Sequence, residues 1–404
     1  MLIEMHILQN HAPSNLNRDD LGSPKSCIFG DVRRARISSQ CIKRSIRRST
    51  MFQEALSSGL ATRTRKLPVR VGDKIRERLQ QEQIGDEKLI EELVEIAVKK
   101  ATGFGTESGK EQPNQRTAQT MFLTPADIDQ VADVIYAALK EAEFDSKKCN
   151  KISAKDLQKQ VADRGFRPVT VDIALFGRMT TSPAFHDIQA STQVAHALST
   201  HKVDPEFDYY TAVDDLQRKD EEEEMGADMI GDIEFNSACY YKYLSLDVDG
   251  LVNNLTGRSI GRKGDIPNDE ESEARDLAAQ AVNTLLLAAA MVSPTGKQNS
   301  FAAHNLPSAI LVEVRDRKVP VSYANAFVVP VPGKGNGLVQ NSVDSFLQHV
   351  QEITRKFNLD APHRFLFTNG VSLKGLNGFE IPDDLNSLVD RVESLVRSGE
   401  AAHA

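Results

Sequence analysis

The stretch from Arg33 to Arg48, RRARISSQCIKRSIRR, contains seven Lys or Arg side chains and no acidic one. Ser38 or Ser39 is typical of a helix N-cap, and the following residues predict a short helix with cations four positions apart. Those cations are Lys43, Arg44, Arg47 and Arg48. Like charges at this spacing weaken an isolated helix, so the pattern favours an external anion such as a nucleic-acid phosphate. The alternative is a solvated basic face that pairs with acids elsewhere, and this block alone leaves both open.

The segment upstream of this helix starts at Ser14 and is rich in turn-forming residues, including Gly22, Pro24 and Gly30. Such a loop can bring backbone N–H groups and the side chain of Lys25 close to a phosphate. The loop also contains Asp19 and Asp20 beside Arg18, a carboxylate pair suited to general acid/base work or to metal binding. Aspartates in turns more often cap their own backbone, and we favour that role here.

A second group of cations lies in the middle of the chain. It consists of Lys147, Lys148, Lys151 and Lys155. These lysines could form another basic patch, although an exposed lysine cluster near a helix start is more often only solvated.

Motifs for common enzyme classes are missing. The sequence has no GxxxxGK[ST], GxGxxG, HExxH or GxSxG. Its four cysteines are Cys27, Cys41, Cys149 and Cys239, with no CxxC pair and no histidine at metal-ligand spacing. We therefore expect no cofactor, no bound metal and no catalytic residue.

The chain has 404 residues and a net charge of −8, from 49 basic and 57 acidic side chains. This balance argues against indiscriminate nucleic-acid binding, so the basic blocks stand out as local features. No apolar run is long enough to span a bilayer, and Met1 to Leu8 lacks the features of a signal peptide. We expect a cytoplasmic protein without membrane contact.

The elements predicted around these residues belong to an α+β fold. Leu2–Gln9 is predicted to be the first strand, residues 51–167 to be largely helical, and Val169–Phe176 to be a core strand ending at Gly177. Gln193–Thr200 is predicted to be a short helix and Glu271–Met291 a longer one.

Two segments rich in Tyr and Phe, FDYYTAVDDLQ and DIEFNSACYYKYLSL, flank the acidic run Asp220–Glu224. Their pattern predicts a long β-hairpin arm, or else an ordinary hairpin packed on the body. Farther on, Thr295–Ser300 predicts a glycine turn that leads into another strand.

Several motifs resemble the CasC family, the backbone subunits of the type I-E CRISPR complex Cascade. They run in family order to about residue 330 and are SNLNRDDLGSPKSCIFGDVRRARISSQCIKRSIRR, VDIALFGRM, AHALSTHKVDPEFDYYTAVDDLQ, EFNSACYYKY, TGKQNSFAAHN and YANAF. The acidic tip at 220–224 and the stretch 256–273 depart from the family pattern.

The resemblance implies an RRM-like (ferredoxin-like) palm with a helical fingers insertion and a β-hairpin thumb. The palm comprises residues 1–55, 168–200 and 244–404, the fingers 56–167 and the thumb 201–243. Copies are expected to polymerise along a CRISPR RNA with other Cascade subunits, and to present it for pairing with target DNA. A competing hypothesis is a metal-dependent ribonuclease that cuts target RNA, as in type III complexes.

The resemblance also assigns roles to individual residues. Expected RNA contacts are Lys25, Ser38, Gln40, Lys43, Arg44, Arg47, Lys297 and Gln298, and Met179 matches the residue that wedges beside a displaced nucleotide. The thumb carries Phe207, Tyr209, Tyr210, Thr211 and Val213. Lys147, Lys148, Lys151 and Lys155 resemble lysines that approach target DNA.

Overall fold

The computed structural model describes residues 1–56, 60–165, 168–212, 229–262, 265–373 and 378–399. These residues form two compact units. The first unit contains Met1–Phe52, Gln193–Asp247 and Val282–Ala404, and the second contains Gln53–Thr192 and Val248–Ala281. The chain therefore leaves the first unit twice and returns to it twice.

The strands, in chain order, are β1 Leu2–Ser14, β2 Ser26–Phe29, β3 Val32–Ile37, β4 Thr62–Thr64, β5 Met121–Leu123, β6 Thr192–Val194, β7 Ala197–Ser199, β8 Glu206–Ala212, β9 Met229–Asp247, β10 Ala309–Arg315 and β11 His363–Thr368. The helices are α1 Ser39–Arg48, α2 Thr50–Ala55, α3 Leu67–Gln81, α4 Glu87–Thr102, α5 Pro125–Glu141, α6 Ser146–Asn150, α7 Ala154–Asp163, α8 Val171–Phe176, α9 Val248–Thr256, α10 Asn268–Met291, α11 Gln298–Phe301, α12 Leu338–Phe357 and α13 Leu385–Ser398. Short 3₁₀ turns occupy Gly103–Gly105, Arg258–Ile260 and Ala324–Phe327.

An antiparallel sheet dominates the first unit. Its strand order is β11-β10-β1-β9-β7-β3-β2, and β6 and β8 also pair with β9. In β1, Met5 lies opposite Leu244 of β9 and Val312 of β10. Because β1 has a neighbour on both edges and is buried along most of its length, it forms the centre of this unit.

One face of the sheet packs against helix α12. Leu8, Tyr241 and Leu311 from three strands meet Phe346 and Val350 of this helix in a single apolar cluster. Burying these side chains stabilises the sheet by roughly 1.5 to 3 kcal/mol each, before entropy is counted.

Charged side chains are buried beside this cluster and are paired with one another. Arg315 donates to the carboxylates of both Glu4 and Glu313, and Nε of Arg364 donates to Oε1 of Glu313 at 2.8 Å. Burial raises the pKa of Glu313, but the hydrogen bond and charge of His6 and the two guanidinium groups outweigh it and lower the pKa to about 2. Such pairs fix the register of neighbouring strands, since a buried charge without its partner is costly.

The second unit is mainly helical. Leu79 of α3, Leu93 and Ala97 of α4, and Ile135 of α5 are fully buried in its core. Asp86 begins α4 by accepting the N–H of Leu89 at 2.9 Å. At the start of α5, Thr124 and Asp127 cap each other's backbone N–H groups at 2.9 Å, which is a capping box.

The α+β class is confirmed, as are the first strand, the long helix near 271–291 and the strand after the glycine turn. Two element predictions were wrong. Val171–Phe176 is helix α8, and Gln193–Thr200 contains strand residues of β6 and β7. No helix among the described ranges is long and apolar enough to cross a membrane.

Helix α8 forms because its ends favour it over the β-prone composition of its middle. Thr170 has an extended backbone, and Asp172 in the first turn accepts N–H groups from Ala61 and Ile173, both at 3.1 Å. Gly177 ends the helix at φ +78, and a Cβ there would lie 2.9 Å from backbone atoms of Ile188 and Ala190. Tertiary contacts at both ends therefore override local strand propensity.

Candidate nucleic-acid interface

The basic helix α1 begins where its sequence predicts. Oγ of Ser38 accepts the N–H of Cys41 at 3.3 Å and caps the helix. Ile46 is buried, while Cys41 and Ile42 pack on an apolar cluster beneath. This anchoring turns the cations of the opposite side outward, so that Arg44 is exposed.

The other expected contacts of this helix share its outer side. Gln40 is exposed, and Lys43 and Arg47 are half-buried. Ser38 is buried, because both its hydroxyl and its N–H hold the helix start. Gln40, Lys43, Arg44 and Arg47 fall three or four residues apart and therefore lie side by side.

The preceding loop is tied to the start of α1. Oδ1 of Asn17 accepts the N–H of Ser38, and its carbonyl accepts the N–H of Lys25, both at 2.8 Å. The carbonyl of Lys25 then accepts the N–H of Arg36 at 2.8 Å. Lys25 is half-buried and its ammonium has no carboxylate partner among the described residues. The structure thus brings Lys25 to the helix with its charge uncompensated.

Arg36 and His196 also belong to this surface, and the sequence analysis did not assign them. Nη1 of Arg36 lies 3.0 Å from Nδ1 of His196. Burial, the charge of Arg36 and the charge of Lys25 together lower the pKa of His196. Arg36 could have been found as a member of the basic block, whereas nothing in the sequence around His196 indicates its position.

Arg34 of the same block serves a different purpose. It is fully buried, and its guanidinium donates to the carbonyls of Phe29 at 3.0 Å, Ser199 at 3.3 Å and Phe327 at 2.7 Å. Burial lowers its pKa. This cation therefore holds backbone segments together and is not available to a ligand.

The glycine turn lies against the loop. A Cβ on Gly296 would lie 2.4 Å from the carbonyl oxygen of Leu16 and 2.7 Å from that of Asn15, so only glycine fits there. Lys297 follows in the left-handed region at φ 50. Nε2 of Gln298 donates to the carbonyl of Pro294 at 3.1 Å, so this side chain already binds its own backbone. Lys297 is the cation that the turn adds to the surface.

The first of the two loop aspartates, Asp19, caps its own backbone. Oδ1 of Asp19 accepts the N–H groups of Leu21 and Ser23, both at 3.0 Å. Asp20 is exposed. Nowhere in the described ranges do three His, Cys, Asp or Glu side chains form a group that could hold a metal ion. The observed geometry is that of a capping aspartate.

Met179 lies in the second unit, on a turn that is firmly held. Arg178 exchanges backbone hydrogen bonds with Ile188 at 2.9 and 2.8 Å, and its Nε donates to the carbonyl of His186 at 3.0 Å. Nη1 of Arg178 donates to Oδ2 of Asp127 at 2.7 Å in a buried ion pair. Met179 itself is 92% exposed. An apolar side chain so exposed on a rigid turn suits insertion beside a flat partner.

The predicted arm is a two-stranded hairpin of β8 and β9. Phe207 lies opposite Glu234 and Tyr209 opposite Asp232, so these four side chains share one face. Phe207 and Tyr209 are 62% and 64% exposed. Tyr210 lies on the other face, and Thr211 is exposed beyond Tyr209. Val213 and the acidic run 220–224 lie outside the described residues.

The four lysines of the second basic group lie at α6 and at the start of α7. Lys148 pairs with Glu143, whereas Lys147, Lys151 and Lys155 are exposed and have no ion pair among the described residues. One of the four predicted contacts is thus already neutralised within the unit.

Comparisons with known proteins give the following matches. The family model described as CT1975-like protein matches residues 3–391. One solved chain, from a "CRISPR RNA-guided surveillance complex, pre-nicking", aligns with a TM-score of 0.75 and 24% identity over 98% of this chain and 100% of that chain. A second, from a "CRISPR RNA-guided surveillance complex", has a TM-score of 0.53 and 21% identity, covering 98% of this chain and 99% of that one. The search of curated proteins gives no match. At these identities the structural likeness shows the fold.

Proposed function

The chain belongs to the CT1975-like protein family, and from that membership we propose that it is a backbone subunit of a type I-E CRISPR RNA-guided surveillance complex. In this role it binds guide RNA on the basic surface of the first unit. The observation that carries the proposal is the convergence of Lys25, helix α1 and Lys297 in a protein that is acidic overall.

The chemistry of this surface suits a nucleic-acid backbone. Lys25, Arg44 and Lys297 have no carboxylate partner in the described part of the chain, so each can neutralise a phosphate and release a counterion. Gln40 adds a side chain able to bond a 2′-OH. Sequence is then read by pairing between guide and target, and the protein needs no base-specific contact.

The remaining parts of the proposal follow the family. The sheet of the first unit is an RRM-like palm, the helical second unit forms the fingers, and the β8–β9 arm is the thumb. Several copies polymerise along one guide RNA in the cytoplasm, each thumb covering the RNA of its neighbour, with other Cascade subunits completing the complex. Met179 wedges beside a displaced nucleotide, and the exposed lysines of the fingers approach target DNA.

The subunit is proposed to hold RNA without cutting it. The ribonuclease alternative requires Asp19 or Asp20 to bind a metal ion, but the Asp19 carboxylate is used to close its own loop. To test this, the assembled complex is incubated with complementary RNA and a divalent metal. We expect no cleavage. Cleavage that stops in Asp19→Ala or Asp20→Ala would favour the alternative.

The test of RNA binding uses the triple variant Lys43→Ala, Arg44→Ala, Arg47→Ala. We expect weaker binding to single-stranded RNA, and a plot of log K against log salt whose slope is smaller by up to about 2, at about 0.7 per lost phosphate contact. The matched control is Arg76→Ala, which removes an exposed guanidinium that is paired with Glu91. A triple variant with the slope of the control would overturn the RNA surface.

A further inference from the structure

Lys297 lies on the segment that connects helix α10 to strand β10. This connecting segment is fastened to the sheet of the first unit at both ends. At its start, Nζ of Lys242 donates to the carbonyl of Ala289 in the last turn of α10 at 2.9 Å. Near its end, Nε2 of Gln9 donates to the carbonyl of Asn305. Both donating side chains are buried, so the sheet holds the segment from within the fold.

The second end is also held by side chains that bridge the segment and strand β1. Strand β10 pairs with β1 up to Leu8, and β1 runs on beyond this pairing. There Oδ1 of Asn305 accepts the N–H of Ala12 at 3.0 Å. Nδ1 of His11 lies 3.2 Å from the carbonyl oxygen of Ala303 and donates to it, because a carbonyl can only accept. Asn305 therefore bonds to β1 through both its backbone and its side chain.

The backbone of the connecting segment has a course that needs such fastening. Lys297 has φ 50 and Ala302 has φ 46, so the two residues that flank the short helix α11 are left-handed. This conformation is disfavoured for residues with a Cβ and persists where surrounding contacts enforce it. One such contact is made by the ring of Phe301, whose centroid lies 5.6 Å from that of Phe235 on β9. The direction in which the Lys297 side chain leaves the backbone therefore depends on the contacts that hold the segment.

We propose that Asn305 and Gln9, together with His11, are positioning residues that hold Lys297 in the orientation in which it binds an RNA phosphate. The inference rests on the proposed function and adds to it the residues through which one of its contacts acts. A lysine on a loosened segment loses more conformational entropy when it reaches the same phosphate. Since Asn305 and Gln9 carry no charge, any effect of theirs on the salt dependence of RNA binding must act through a cation.

The experiment measures binding of the full chain to single-stranded RNA over a salt series. Asn305→Ala should weaken binding several-fold and lower the slope of log K against log salt by up to about 0.7, although it removes no charge. Lys297→Ala should lower the slope by about 0.7, and the double variant should bind no more weakly than Lys297→Ala alone. Gln9→Met removes the other bond to Asn305 at nearly unchanged side-chain volume and should act in the same direction. If one of the two neutral variants fails to fold, the other carries the same test.

The matched control is Asn341→Ala. Nδ2 of Asn341 donates to the carbonyls of Pro332 and Lys334, both at 2.8 Å, so this asparagine also fastens a loop that carries a lysine, but one outside the proposed RNA surface. The slope of the control should equal that of the parent. Melting temperature is measured for every variant, because a general loss of stability would reduce the active fraction of protein without changing the slope.

The outcomes are separable. If Asn305→Ala and Gln9→Met keep the parent slope while Lys297→Ala lowers it, the positioning role is overturned and Lys297 remains an RNA contact. Additive losses in the double variant would also overturn the role, because Asn305 would then act through another group. If Lys297→Ala binds RNA like the parent, the positioning role is overturned together with that contact, whereas the RNA surface of α1 is tested independently by the triple variant.

Discussion

Single cations in this protein have sharply different environments, which their sequence neighbours do not reveal. Arg44 faces solvent, while Arg34 in the same block is buried among backbone carbonyls. Lys242 of β9 is also buried, and its Nζ donates to the carbonyl of Ala289 in the last turn of α10 at 2.9 Å. A helix C-terminus attracts a cation, yet burial lowers the pKa of Lys242 to about 7. This lysine is therefore close to half-charged near neutral pH.

Stability should rise with pH because of Lys242. In the unfolded chain the pKa of Lys242 is about 10.4, so between about pH 7 and 10 the unfolded state binds more protons than the folded state. The free energy of unfolding therefore increases as pH rises through this range. Burying the charged form of Lys242 lowers the free energy of unfolding by a few kcal/mol, and this loss is fully present below about pH 7. Lys242→Met should be more stable than the parent at pH 6.5, with the difference shrinking by pH 9.5 in chemical denaturation. A constant difference would contradict this assignment.

The neighbouring His11 supplies an internal check on that measurement. Burial and the charge of Lys242 lower the pKa of His11 to about 4. The destabilisation caused by burying a protonated His11 therefore decreases as pH rises between about 4 and 6.5. The two pH windows do not overlap. His11 should therefore shape only the acid side of the stability curve, and its pKa should lie higher in Lys242→Met, where the charge of Lys242 no longer lowers it.

Whole elements were predictable from sequence where local signals and burial agree. Helix α1 has a serine cap and a clear apolar side, and β1 and the β8–β9 arm have strong strand composition. The prediction failed at α8, where contacts from distant residues decide, and at 193–200, where short strands are fixed by pairing with β3 and β9. Lys25, α1 and Lys297 are likewise brought together by contacts between residues that are distant in sequence. Their common surface could therefore be predicted from the sequence only through the family resemblance.

The turn that carries Met179 should depend on its buried ion pair. Asp127 serves both the capping box of α5 and the guanidinium of Arg178, so Asp127→Ala leaves a buried charge uncompensated. We expect a loss of about 3 to 5 kcal/mol in the free energy of unfolding. Met179→Ala, which changes only an exposed side chain, should leave stability within about 0.5 kcal/mol of the parent. Chemical denaturation of the isolated chain measures both, and equal stability of the two variants would contradict the role of the pair.

At the scale of the whole molecule, the resemblance to CasC backbone subunits is confirmed, because the family model spans nearly the entire chain. The charge distribution adds a physical consequence. A net charge of −8 disfavours RNA over most of the exterior, so the proposed RNA binding depends on the local cations of the first unit. The core, in contrast, rests on apolar packing and on buried ion pairs that salt screens little.

RNA binding and folding should consequently respond differently to salt. Purified at low ionic strength, the protein should carry RNA and form long assemblies. At about 1 M salt, where the Debye length is about 3 Å, the RNA should dissociate and the assemblies shorten. The melting temperature of the freed protein should change little, because the pairs around Glu313 are buried. In one salt series, absorbance at two wavelengths measures the RNA content, light scattering the size of the assemblies and calorimetry the melting temperature. Assemblies that persist after the RNA is lost would show that protein contacts alone hold the copies together.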